Sequence, residues 1–186
     1  MNDLVRAFLS IDIDVQSLLT HIKQIQQQLD LQAAKMKLVE IDNIHFTLRF
    51  FGDTKLDKIS QIRERLKEIE IEPFVIRVAG VGAFPNNRRP RVIWIGVSEK
   101  GQQMRNLKLE IDSLLQDIGY QVEKRKYTPH ATIARVRHVK DSRRIADNLE
   151  TLVNKPIGDM TISGFTMKKS TLTPTGPIYD KMWSLP

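Results

Sequence analysis

The sequence predicts an α+β protein built as two pseudo-symmetric lobes, with antiparallel sheets facing one another across a central cleft and helices on the outside. Three observations lead there. A His-x-Thr motif occurs twice, as His45-Phe46-Thr47 and His130-Ala131-Thr132, 85 positions apart. Each copy lies in a run that reads as a β-strand. The order helix, His-x-Thr strand, helix and hairpin is met in the first half and approximately replayed in the second.

"RAFLSIDI" (6–13) is a strand-like run, and "DVQSLLTHIKQIQQQLD" after it spaces its apolar residues for a helix, with Asp14 as a possible N-cap. "HFTLRFFG" alternates as a strand from His45, with Gly52-Asp53 closing it. "KLDKISQIRERLKEIE" then sets Leu56, Ile59, Ile62, Leu66 and Ile69 on one helical face. "PFVIRVAGVGAF" and "RVIWIGV" are two further strands, separated by the basic, Pro-containing loop "PNNRRP". In the second half "KGQQMRNLKLEIDSLLQDIG", with Gly119 as C-cap, precedes the strand "HATIARV". A helix around "DSRRIADNLETLV" and the strands "GDMTISGFTMKKSTLT" and "IYDKMWSLP" follow. No low-complexity linker divides the halves, so residues 1–186 read as a single domain of two lobes with one H-x-T motif each.

Composition narrows the chemistry. At 186 residues, 41% hydrophobic and 27% charged, the chain is long enough to bury a core. No run reaches the roughly 18 apolar residues of a membrane span, and the N-terminus carries acidic residues in and beside its apolar run, unlike a secretory signal. A cytoplasmic protein with no membrane partner is expected. The absence of cysteine excludes disulfides, thiolate zinc sites and a cysteine nucleophile. A net charge of +7 is compatible with a polyanionic partner, and two clusters concentrate it: "NNRRPRV" (86–92) and "EKRKYTPH" (123–130).

On a strand, residues i and i+2 share a face, so each motif projects an imidazole and a hydroxyl side by side. One copy alone reads as the polar face of a sheet. Threonine fills roughly one position in seventeen, so finding it two residues after two of only four histidines has a chance probability on the order of 2%. The other histidines, His21 and His138, have no such threonine and read as surface or packing residues. No H-E-x-x-H or clustered His/Asp set is present, so no metal is expected. Paired histidines supply a general base and a general acid in one turnover, the division of labour that phosphodiester cleavage needs. The candidate catalytic residues are His45 and His130. Thr47 and Thr132 are candidate donors to the non-bridging phosphate oxygens. Arg135 lies on the opposite strand parity to His130 unless the strand bends, in which case its planar fork suits a phosphate.

These residues resemble the 2H phosphoesterase superfamily, named for two H-x-[ST]-x motifs on pseudo-symmetric lobes, and within it the RNA 2′,3′-cyclic phosphodiesterase (2′-5′ RNA ligase) family. The resemblance covers essentially the whole chain: "RAFLSIDI" is similar to the opening strand, "HFTLRFFG" to the first motif, "RVIWIGV" to the central strand and "YTPHATIAR" to the second motif, with Ile133 where Leu is commoner. It implies a bilobal fold and metal-independent hydrolysis of RNA 2′,3′-cyclic phosphate ends to 2′-phosphates, with no cofactor. It further implies His45 as acid and His130 as base, an order that pseudo-symmetry leaves exchangeable, and Thr47, Thr132 and Arg135 as phosphate ligands. Phe8 is either core or a nucleobase platform, and Arg88, Arg89, Arg91, Lys124, Arg125 and Lys126 are candidates for steering longer RNA. The expected partner is an RNA end such as a tRNA half, met by a monomer. The family also joins such ends in 2′-5′ linkage, and no G-x-x-x-x-G-K-[ST] is present for ATP-driven ligation. The alternatives are a phosphodiesterase for a small cyclic phosphate or 2′-5′ oligoadenylate, and a non-catalytic RNA-end binding module.

Overall fold

A computed structural model describes residues 4–174 and 176–186; Asp3, one of the N-terminal acidic residues, lies outside them. The order is β1 (Leu4–Asp12), α1 (Gln16–Gln27), β2 (Ala34–Leu38), a 3₁₀ turn (Ile41–Asn43), β3 (His45–Lys55), α2 (Leu56–Leu66), β4 (Phe74–Phe84) and β5 (Val92–Glu99). It continues with α3 (Gly101–Gln116), β6 (His130–Val139), α4 (Ser142–Leu152), β7 (Pro156–Ile162), β8 (Phe165–Thr173) and β9 (Gly176–Leu185). Among the described residues no helix is long and apolar enough to cross a membrane.

The antiparallel strands that the alternation predicts form one nine-stranded sheet with two wings. One wing runs β7-β4-β5-β6, with β2 beside β6; the other runs β3-β1-β8-β9. They join at one residue pair, Phe46 opposite Ala131, both fully buried. Each wing takes strands from both halves of the chain. The hairpin β4–β5 that follows the first motif lies beside the second motif's strand, and β8–β9 lies beside β1 and β3. The sequence halves are therefore interlaced rather than folded side by side.

The helices cover the sheet faces away from the two motifs. α1 packs on β7 and β6, α4 on β4, α2 on β3 and α3 on β5, and α2 also touches α3. In α4 the Asp141 carboxylate accepts from the Arg143 and Arg144 amides at 3.1 and 3.0 Å, satisfying two orphan donors of the first turn. Ile145, Leu149 and Leu152 then fall on the buried stripe. α1 departs from expectation: Val15, not Asp14, is its N-cap residue, with no side-chain cap. α2 buries Ile59, Ile62 and Leu66, whereas Leu56 is exposed at its first turn and Ile69 is buried beyond its end. Gly52, with φ of 68°, does not close β3, which runs on to Lys55. β2 was not foreseen, its five residues "AKMKL" being too short a pattern to register.

Candidate active site

The two motifs come together because β3 and β6 meet antiparallel at Phe46 and Ala131. One step outward along this register sets His45 across from Thr132, and Thr47 across from His130, on the face opposite the buried pair. All four line one cleft of about 1040 Å³.

Arg135 joins them through a β-bulge. On β6, Thr132 pairs with Trp94 and Ala134 with Ile93, so Ile133 is an extra residue. Ile133 and Ala134 both turn into the core, parity inverts, and Arg135 returns to the cleft face. β3 carries the same device. Thr47 pairs with Ser10 and Arg49 with Leu9, leaving Leu48 extra, and Phe50 returns to the cleft with 63% of its surface exposed. Sequence reasoning missed Phe50, because the bulge is set by the neighbouring strand.

Each imidazole is held the same way. His45 Nδ1 lies 2.8 Å from the Asn43 carbonyl, and His130 Nδ1 lies 2.6 Å from the Thr128 carbonyl. A carbonyl only accepts, so each Nδ1 carries a hydrogen and each Nε2 is left to exchange protons. Aromatic rings brace both. Phe8 stacks on His45 at 5.0 Å between centroids, with Tyr179 edge-on at 5.2 Å. His130 meets Phe84 edge-on at 5.0 Å and Trp94 at 6.0 Å. Phe8 is 2% exposed, so it supports the histidine and presents no platform to a base. Tyr179 comes from the C-terminal strand through long-range pairing that local sequence does not reveal.

Burial lowers the His45 pKa to about 4; Lys168 and Arg135 push the same way, opposed by the Asn43 carbonyl and Asp12. Asp12 sits beside His45 in register and is held by Lys168 Nζ at 2.7 Å and the Ser10 hydroxyl at 3.0 Å. Burial likewise raises the Tyr179 hydroxyl, keeping it protonated.

The cleft walls are basic, with Arg6, Lys124, Arg125, Lys126, Arg135 and Arg137 lining it. Of the two charge clusters in the sequence, only the second contributes charged side chains to this lining. Arg88, Arg89 and Arg91 are exposed on the loop between β4 and β5 and lie outside it. His21 instead donates from Nδ1 to the Ile157 carbonyl at 2.7 Å, tying α1 to β7, and His138 is exposed on β6. Among the described residues no three His, Asp or Glu side chains converge to hold a metal.

An imidazole pair, two hydroxyls and a guanidinium thus line one basic cleft, groups with the chemistry to hold and cleave a phosphodiester. The model of LigT-like phosphoesterases matches residues 12–94 and again 95–179, one match for each motif. An RNA 2′,3′-cyclic phosphodiesterase of Methanothermobacter thermautotrophicus is 39% identical over 180 residues, covering 96% of each chain. One of Archaeoglobus fulgidus is 37% identical over 175 residues, covering 94% of this chain and 96% of its own. The crystal structure of a Thermus thermophilus protein superposes with a TM-score of 0.77 at 22% identity, over 97% of this chain and 96% of the other. Escherichia coli LigT complexed with 3′-AMP gives 0.75 at 21% identity over 98% of both. With the paired motifs, the fold and these relatives in agreement, the chain belongs to the LigT-like phosphoesterase family of the 2H phosphoesterase superfamily.

Proposed function

We propose that the protein hydrolyses the 2′,3′-cyclic phosphate at an RNA end to a 2′-phosphate, without a metal ion, using His45 and His130 as acid and base. The observation that carries this reading is the matched pair of imidazoles, each with Nδ1 committed to a carbonyl and Nε2 left for proton exchange, in a basic cleft. The names of the relatives support the substrate class.

In the reaction one neutral imidazole takes a proton from water as its oxygen bonds to phosphorus. The P–O3′ bond breaks, and the opposite imidazolium protonates the departing O3′. Thr47, Thr132 and Arg135 hold the non-bridging oxygens, where charge builds up. Phe50 offers its exposed ring face to the terminal base. With a 5′-hydroxyl in place of water, the same groups join RNA ends: the base takes the hydroxyl proton as O5′ bonds to phosphorus, P–O3′ breaks with O3′ protonated by the acid, and a 2′-5′ linkage is left; tRNA halves are ends of this kind. We take the protein to act in the cytoplasm as a monomer.

His45 serves as acid in this scheme. Its lowered pKa leaves it neutral at pH 7, so it takes up its proton together with the anionic phosphate, whose charge stabilises the imidazolium. The same lowered value favours a second assignment, with His45 as base and His130 as acid.

The test is incubation of the protein, in excess EDTA, with an oligoribonucleotide ending in a 2′,3′-cyclic phosphate, followed by separation of 2′- from 3′-phosphate products. Conversion to the 2′-phosphate is expected. A 3′-phosphate product, or turnover abolished by EDTA, would contradict the reading. Binding without turnover would favour the binding module, and turnover confined to small cyclic phosphates the other phosphodiesterase.

A further inference from the structure

Beside β3 the protein buries charged groups that the proposed reaction does not use, of which Arg49 also borders the cleft. Arg49, Lys108 and Asp112 are 6%, 3% and 2% exposed. Lys108 Nζ donates to both Asp112 oxygens at 2.6 and 2.5 Å, and Arg49 Nη1 donates to the same carboxylate. Buried ion networks are rarely worth more than well-packed apolar groups of equal volume, so stability alone does not account for this one.

Apart from the Phe51 ring on β3, which the Arg49 guanidinium covers at 5.8 Å, its outer contacts among the described residues reach one segment, the loop 117–129 between α3 and β6. Lys108 Nζ lies 2.7 Å from Glu123 Oε2, and Arg49 Nη2 donates to the Gln121 carbonyl at 2.7 Å. The Arg49 guanidinium also covers the Tyr120 ring at 5.4 Å. Directly after Glu123 come Lys124, Arg125 and Lys126, which line the cleft, with Arg125 over Phe84 at 5.5 Å. The network thus spans from the strand of the first histidine, through α3, to the basic wall that leads into the second.

We propose that Lys108, Asp112 and Arg49 form a positioning relay that holds the basic loop against the cleft and so sets affinity for the RNA strand beyond the reacting nucleotide. The proposal rests on the RNA reading above. The relay does not touch the reacting phosphate; it acts through Glu123 and the Gln121 carbonyl. Loosening it lets the three cations move away from the backbone phosphates they would neutralise.

Two variants break the Lys108–Glu123 ion pair from opposite sides. Lys108→Met removes a positive charge from the interior, and Glu123→Gln removes a negative charge from the exposed end without disturbing the core. Bulk electrostatics predicts opposite shifts in RNA affinity; the relay predicts weaker binding in both. Binding of an oligoribonucleotide of about ten nucleotides, followed by fluorescence anisotropy, should weaken roughly 3- to 10-fold in each variant, with a shallower slope against log salt by about 0.7 for each phosphate that is no longer neutralised. Turnover of a nucleoside 2′,3′-cyclic phosphate should be unchanged, and Glu123→Asp should restore binding. Tighter binding by Glu123→Gln, unchanged binding by it, or an equal effect on the mononucleotide would overturn the relay. Mononucleotide turnover by the unaltered protein tests the cyclic phosphodiesterase reading separately, because oligonucleotide binding is read without catalysis.

Discussion

Phe50 and Arg135 occupy matching positions: each lies five residues beyond its motif histidine and is turned back into the cleft by one bulged residue, Leu48 or Ile133. The histidines, threonines and bulges repeat between the two walls, but at this position one wall offers an aromatic ring and the other a guanidinium. The difference gives a pseudo-symmetric cleft a direction, and on the proposed function the phosphate would be drawn toward one wall and the base toward the other. Replacing Arg135 by Ala should lower kcat/KM by about 10²-fold for every substrate, as for removal of a donor to developing phosphate charge. Phe50→Ala should raise KM by about 10-fold, the worth of one stacked base, with little change in kcat. Kinetics on nucleoside 2′,3′-cyclic phosphates measure both; equal effects on kcat from the two variants would contradict the division.

His45 should leave a mark on stability. Its pKa is about 4 when folded and near 6.5 when unfolded, so between these values the unfolded chain binds more protons and stability rises with pH. The contribution is fully present above pH 6.5 and is lost as pH falls toward 4, by an amount on the order of 2 to 3 kcal/mol. Urea denaturation at pH 7 and pH 4.5 should show a smaller drop for His45→Gln than for the unaltered protein. Parallel pH dependences would show that burial does not hold His45 neutral.

Trp94 braces His130 only because position 82 lacks a side chain: a Cβ there would lie 2.3 Å from Trp94 Cζ2. Gly82→Ala should therefore push the indole aside, costing about 1 to 3 kcal/mol in stability. It should also lower kcat, because His130 loses one of its two aromatic supports. A variant with unchanged melting temperature and kcat would mean that the ring has room to move.

The roles of the two histidines separate on a substrate whose 3′ oxygen is replaced by sulfur, a leaving group that departs without a proton. The variant lacking the acid should recover most of its rate on this substrate, and the variant lacking the base should not. Recovery by His45→Ala assigns the acid to His45; recovery by His130→Ala assigns the reverse order.

Much of this was legible in the sequence, for identifiable reasons. That His45, Thr47, His130 and Thr132 would share one cleft was legible because strand alternation is local and the motif occurs twice. The helices and main strands were found because their apolar spacing is local too. Arg135 was placed only conditionally, since the extra residue at Ile133 depends on pairing with β5, which no local pattern encodes. Of the two readings of Phe8, core or base platform, the core reading holds, but its stacking on His45 was not legible because its burial depends on β8 and Tyr179. The interlaced strand order of the sheet, the short β2 and the buried Arg49–Asp112–Lys108 network all arise from contacts between segments far apart in the chain.

The most direct test of the central claim is the single-turnover rate of His45→Ala and His130→Ala on an oligoribonucleotide 2′,3′-cyclic phosphate in EDTA, with circular dichroism to establish the fold. Each variant should lose on the order of 10² to 10⁴ in rate while remaining folded. If either histidine can be removed with the rate intact, the two do not act as an acid–base pair and the mechanism is wrong.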